Sequence, residues 1–244
     1  MNLHLTLATA RRILGQLRHD RRTVAMMIAL PAVLTILMRY VFNSQQIFEQ
    51  VAPALLGIFP FFVMFLITSV AMLRERTTGT LERLMAMPLG KLDLLLGYGL
   101  AFGIFAVIQV VFVAVLALTW LGLTVAGSLG LLVLVAILDA LLGMALGLFV
   151  SAFARTEFQA VQFFPLIGAP QILLCGLFVA RSQMAPVLSW ISDVLPLSYA
   201  VDAVKILVAN PNVTGELLRD IAIVAGCAVL ALVLGATTLR RRTS

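Results

Sequence analysis

Apolar positions fall in six long runs, near 23–42, 52–73, 92–118, 129–153, 159–180 and 221–239, with most of the charges gathered between them. A helix needs about 20 such residues to cross a hydrocarbon core. The runs are continuous, not alternating, which predicts helices in place of a barrel. The pattern is that of an all-α membrane protein with six transmembrane helices. Six crossings in 244 residues leave no room for a separate soluble unit, so 1–244 reads as a single membrane domain.

Local patterns refine each run. Over residues 1–22, Leu3, Leu7, Ala10, Leu14 and Leu17 fall on one helical stripe, with Arg11, Arg12 and Arg18 off it. That predicts an amphipathic helix lying in the membrane interface. Gly99 and Gly103 in the third run, and Gly143 and Gly147 in the fourth, have the spacing that lets helix backbones approach closely. A tight antiparallel hairpin of these two runs is expected. Pro165 and Pro170 interrupt the fifth run, with Gly168 between them. Each proline removes a backbone donor, so a kink or local unwinding is expected. Irregular backbone at that depth is tolerated only against protein or water. The segment 181–220 holds two apolar stretches, 185–193 and 197–208, too short to cross. These are expected to re-enter or lie at the interface, with Trp190 and Tyr199 at headgroup depth. Asp202 and Lys205, three apart, are placed to pair on a helix.

Composition fits lipid. Hydrophobic residues make up 62% and charged ones 11%, and the mean hydropathy is +1.09; a soluble domain is about 45–50% apolar and about 25% charged. The net charge of +6 and pI near 10.1 are a topology signal. With an even number of spans, both termini share one side with Arg11, Arg12, Arg18, Arg21, Arg22, Arg74, Arg76, Arg83, Lys91, Arg155, Arg240, Arg241 and Arg242. Only Arg39, Arg181, Lys205 and Arg219 fall on the other. Both termini are therefore expected in the cytoplasm. A nucleic-acid partner is not expected, since no folded domain carries a basic face. The first run begins after some 22 residues and lacks a small-x-small site before Asn43, which argues against a cleaved signal. Cys175 and Cys227 fall inside predicted spans and read as small apolar packing residues. The only histidines, His4 and His19, lie in the N-terminal helix, so neither a metal site nor a histidine-dependent triad is expected.

The most informative segment is RERTTGTLERLMAMP, at 74–88. Thr77-Thr78-Gly79-Thr80 reads as a turn whose hydroxyls cap a helix start. Leu81, Leu84 and Met85 then form an i, i+3, i+4 face, and Pro88 ends it. The prediction is a short helix across the cytoplasmic end of the bundle, able to dock in a groove on a soluble partner. Inside the fourth run, Asp139 is costly and hence either functional or held for packing. Gln109, Gln162 and Gln171 are candidate cavity-facing groups. In the second run, Phe59, Phe61, Phe62 and Phe65 either contact an apolar substrate or pack against neighbours.

Three segments together resemble the ABC transporter type-2 permease family, membrane subunits of bacterial exporters of drugs, lipids and polysaccharides. They are RERTTGTLERLMAMPLG after the second run, SAFARTEFQAVQ at 151–162, and MAPVLSWISDVLPLSYAVDAVK at 184–205. The resemblance covers essentially the whole chain. It implies two six-helix permeases, as homodimer or related heterodimer, seated on two ATPase subunits in the bacterial inner membrane. By that resemblance 74–91 is the coupling segment, with Arg74, Glu75, Gly79, Thr80, Leu81, Glu82 and Arg83 at the ATPase, and Arg155 and Glu157 form a second contact. The N-terminal helix matches the family's connecting helix, and 181–220 closes the outer end of the path. Phe62, Phe65, Gln109, Asp139, Gln162 and Gln171 are the candidate lining of that path.

The sequence holds no GxxxxGK[ST] loop of the kind that cradles nucleotide phosphates. The chain is accordingly read as a transporter subunit without an ATPase site, binding no cofactor, with ATP and Mg used by the partner. Its expected cargo is a hydrophobic or amphipathic drug or lipid. Three alternatives stand beside this: a polysaccharide-exporting permease, a proton-coupled secondary transporter using Asp139, and a membrane scaffold that recruits a cytoplasmic protein through the insert.

Overall fold

In a computed structural model the described residues are 3–80, 83 and 90–238. Their regular structure is entirely helical, with no strand among them. The elements are α1 (Leu3–His19), α2 (Arg21–Phe42), α3 (Gln45–Thr77), α4 (Lys91–Thr119), α5 (Leu129–Val150), α6 (Glu157–Phe163), a π-helical turn (Phe164–Gly168), α7 (Ala169–Leu174), a 3-10 turn (Arg181–Gln183), α8 (Pro186–Val194), α9 (Pro196–Ala209) and α10 (Gly215–Thr238). Five of these, α2, α3, α4, α5 and α10, are long and apolar enough to cross a membrane.

The fifth apolar run does not form one continuous helix over 159–180. It is divided into α6, the π-turn and α7, and the helix ends at Leu174. Pro165 sits within the first two positions of the π-turn and Pro170 within those of α7. Neither can donate to the preceding turn, so the chain widens there instead of continuing a regular ladder.

Sequence punctuation sets the other boundaries. Asp20 caps α2, accepting from the Thr23 amide at 3.1 Å and the Thr23 hydroxyl at 2.6 Å. Ser44 caps α3 and Ser128 caps α5 in the same manner. Pro186 and Pro196 occupy first-turn positions of α8 and α9, where the missing N–H costs nothing.

At the centre stands α3, whose 33 residues span about 50 Å, longer than the run 52–73 suggested. It is buried along most of its length and packs most extensively on α5. The two run parallel: Gly57 lies opposite Asp139, Phe61 opposite Gly143, and Phe65 opposite Gly147. A side chain at Gly143 would meet the Phe61 carbonyl oxygen at 2.1 Å, and one at Gly147 the Phe65 carbonyl oxygen at 2.4 Å. The Thr68 hydroxyl bridges the helices, with its oxygen 3.1 Å from the Met144 carbonyl.

This corrects the expected hairpin contact. The close approach through Gly143 and Gly147 is made with α3, not with the sequence-adjacent α4. Gly99 and Gly103 of α4 meet only the side-chain ends of Met144 and Leu141. The cause is the Phe61–Thr68 edge of α3, whose carbonyls and hydroxyl fill the space that the two glycines leave open.

The N-terminal helix forms as expected, but with a different buried face. Thr6, Thr9, Ala10, Ile13 and Leu17 are buried, and α1 packs on α4, where Gly97 leaves room for Thr9. Leu3 and Leu7 are exposed. The short stretches in 181–220 do become helices, α8 and α9. Residues Leu197, Ala200, Val201, Val204 and Leu207 of α9 are buried. Asp202 and Lys205 do not pair with each other. Arg181 bonds Asp202 at 2.6 Å and also Asp193, while the Lys205 ammonium donates to the Gly176 carbonyl. Arg181 reaches both carboxylates because the chain turns back at 175–183. Its guanidinium also stacks 5.2 Å from the Tyr199 ring. Both cysteines are free thiols.

Candidate functional site

One end of the bundle brings together α1, the last turns of α3, the start of α4, and the turn between α5 and α6. This basic end carries most of the residues singled out for coupling. Glu75 lies inward, where Arg12 donates to its Oε1 at 3.2 Å and to the Tyr98 hydroxyl at 3.0 Å. The end of α3 is thereby tied to α1 and α4 at once. Arg74, one residue earlier, points outward and grips Glu157 through two bonds, 2.7 Å from Nε and 3.0 Å from a terminal nitrogen. Paired bonds to a carboxylate fix orientation as well as distance. The guanidinium of Arg74 holds the Glu157 carboxyl below the usual carboxylate range, since a bonded opposite charge favours the ionised form.

The turn expected after α3 is present at Thr78 and Gly79. The hydroxyls of Thr77 and Thr78 donate backwards to α3 carbonyls, Leu73 at 3.1 Å and Arg74 at 2.8 Å. They finish α3, and Thr80 and Arg83 beyond the turn are again helical. A helix this long ends with carbonyls lacking partners, and these hydroxyls are the nearest donors. Gly79, with φ +72°, makes the left-handed turn that stops α3. Thr80 comes next, its hydroxyl 3.0 Å from that of Thr78. The Arg83 amide bonds the Gly79 carbonyl at 3.2 Å, and its side chain is exposed. Leu81, Glu82, Leu84, Met85 and Pro88 lie outside the described residues.

The second turn is built by its own caps. Thr156 caps α6, accepting from the Gln159 amide at 3.1 Å, and the Gln159 side-chain oxygen accepts from the Arg155 amide at 2.8 Å. Arg155 is exposed, and Glu157 is held toward α3. Two segments about 80 residues apart in sequence thus share one surface. Arg12 and Tyr98 were absent from the sequence-derived set. The available signal was Tyr98 itself, a hydroxyl inside an apolar run that needs a partner when buried.

The residues expected along a path lie deeper and separate into three groups. Phe62 and Phe65 are buried; Phe62 packs edge-on against Phe61 and Phe164, with centroids 4.9 Å away in both cases. Phe164 belongs to the π-turn, so these rings join α3 to the fifth run. Asp139 and Gln109 are fully buried, and neither polar atom of either side chain has a hydrogen-bond partner among the described residues. Gln171 is buried with its carbonyl oxygen unpartnered among them. Asp139 fits because Gly57 has no side chain: a Cβ there would lie 3.0 Å from the Asp139 Oδ2. Gln162 stands apart on an exposed face of α6.

The family model described as ABC-2 type transporter matches residues 4–208. The chain is 25% identical over 207 residues to the probable multidrug ABC transporter permease YbhS of Escherichia coli (strain K12), covering 84% of this chain and 55% of that protein. It is 28% identical over 159 residues to the probable multidrug ABC transporter permease YbhR of the same organism, covering 64% and 42%. It is 26% identical over 163 residues to ABC transporter G family member 20 of Dictyostelium discoideum, covering 67% and 22%. The chain thus spans about half, or less, of the length of these relatives. A bundle of long apolar helices, a Gly-stopped insert after the second of them and a family match over most of its length identify this chain as a multi-pass membrane protein of the ABC-2 type transporter family.

Proposed function

We propose that this chain is the permease subunit of an ATP-driven exporter in a bacterial inner membrane, with both termini cytoplasmic. It docks on a separate ATPase through 74–91 and through the turn at Arg155 and Glu157. ATP and Mg are used by that partner. The supporting observation is the two-point anchoring of the insert: Arg12–Glu75–Tyr98 on one side and Arg74–Glu157 on the other. A push on the insert would pass along the rigid α3 to the Phe62–Phe164 contact and the π-turn. Closure of the ATPase then tilts α3 against the fifth run and alternates access. Glu75, Glu82 and Arg83 carry the coupling, Leu81 and Thr80 shape the docking helix, and α8 and α9 re-enter to close the outer end.

In this reading the fifth crossing is made by α6, the π-turn and α7 together, over 159–174, about 24 Å long, which gives six passes in one permease domain. Phe62, Phe65, Gln109, Asp139, Gln162 and Gln171 line the route in other states of the cycle. The multidrug permeases among its relatives and the apolar interior favour a hydrophobic or amphipathic drug or lipid as cargo, with a polysaccharide as the alternative. A second reading rests on Asp139: a buried carboxyl with no partner suits proton coupling.

The test is the composition of the complex recovered in mild detergent from the native host. A co-purifying P-loop ATPase, lost together with efflux in Glu82→Lys, is the expected result. Normal efflux by that variant counts against the coupling role. Recovery of the chain alone, with transport that depends on the proton gradient and fails in Asp139→Asn, would replace this reading with the second.

A further inference from the structure

A groove of about 600 Å³ opens at the basic end between α1, α2, α3 and α4, away from Phe62, Phe65 and Asp139. One wall is a single stripe along α3 and its C-cap, Leu66, Val70, Arg74 and Thr78. Spaced four apart, these cover about 18 Å and pass from aliphatic to charged and hydroxylic. Met26 of α2 and Leu17 of α1 face them, and Tyr98 and Phe102 form an aromatic floor with centroids 6.4 Å apart and ring planes at 26°. The gradient matches an amphiphile whose apolar body lies at membrane depth and whose head reaches water.

Charge decides which head. Among the described residues three charged side chains line the groove: Asp20, Arg74 and Glu75. Arg74 is engaged by Glu157 and Glu75 by Arg12. Asp20 has no ion-pair partner among the described residues. Hydrogen bonds from Thr23 hold its carboxyl below the ordinary range, so it stays charged. Arg21 and Arg22, the next two residues, do not line the groove. The described lining thus sets two carboxylates against one guanidinium, and although the Arg74 charge also acts on Asp20, the balance at the mouth of this apolar slot is negative.

We propose that this groove binds a lipophilic monocation of drug-like size, its apolar body between Leu66, Val70 and Phe102 and its charge at Asp20. The volume lies within the about 300–1,000 Å³ of small-molecule sites. An anionic lipid head would instead meet the carboxylates of Asp20 and Glu75. Binding here does not depend on whether the ligand is also exported, so it holds whether or not an ATPase partner is found.

The purified full chain in phosphatidylcholine nanodiscs should bind radiolabelled tetraphenylphosphonium saturably, and tetraphenylborate, of the same shape and opposite charge, far more weakly. Asp20→Asn keeps the helix cap and should weaken cation binding about three- to fivefold, the range of an exposed ion pair. Val70→Trp should abolish binding by filling the slot. Thermal unfolding of each variant serves as the check on fold. Absence of saturable binding, equal affinity for the two probes, or unchanged binding in either folded variant would overturn the proposal.

Discussion

Gly143 and Gly147 hold their places because of what faces them across α3, and an added methyl measures that constraint. At Gly143 it would stand 2.1 Å from a backbone oxygen, which cannot rotate away, so the helices must separate. Overpacking of this kind costs about 1–3 kcal/mol. Gly99 offers a contrast in the next helix, where an added Cβ meets only the mobile end of Met144 at 3.8 Å. Gly143→Ala should lower the thermal unfolding midpoint of the detergent-solubilised protein by several degrees, whereas Gly99→Ala should leave it unchanged or slightly raised through better helix propensity. Equal behaviour of the two variants would remove the α3–α5 interface from its central role. The spacing of these glycines was plain in the sequence. Their partner was not, because a four-residue repeat states that something comes close without naming the neighbour. Asp139 is similar: its cost was legible, but the space at Gly57 that accommodates it belongs to a helix two elements earlier in the chain.

Between elements, the Arg74–Glu157 bridge joins the end of α3 to the start of α6, and its pH dependence has a definite sign. The bonded guanidinium lowers the Glu157 pKa, so the bridge contributes fully above the ordinary carboxylate value of about 4.3. Its contribution disappears as pH falls through the lowered value. Both side chains are more than half exposed, which limits the coupling to about 0.2–1 kcal/mol. A double-mutant cycle of Arg74→Ala and Glu157→Ala, read from thermal unfolding, should show that coupling at pH 7, a shrinking one as pH falls below the ordinary carboxylate value, and none in about 1 M salt. Coupling that persists in acid would mean the pair acts through packing. At this scale the sequence was informative about existence and poor about ends and faces. Hydropathy located five of the long helices but shortened α3, because its polar ends are helical too. Proline placement anticipated the break in the fifth run. The buried face of α1 escaped a reading based on its leucine stripe, because Thr6 and Thr9 fit the small space beside Gly97.

For the whole molecule, the irregular backbone around Pro165 and Pro170 points outward. Leu166, Leu173, Phe178, Val187, Trp190 and Val194 are all exposed from the π-turn to α8. Regular helices such as α2, α4 and α10 can show apolar surface to lipid without penalty, since their backbones are internally bonded. A π-turn and the bends after Leu174 cannot do so as cheaply, and at membrane depth they require protein or water beside them. This face is therefore where the proposed second permease subunit belongs, with the outward residues of α8 extending the contact. Native mass spectrometry from nanodiscs should report a dimer for the unaltered chain. Leu173→Arg with Trp190→Arg, both on exposed positions, should convert it to monomer while leaving the unfolding midpoint within a few degrees. A dimer that survives both changes would move the interface to another face and leave the π-turn covered by some other protein.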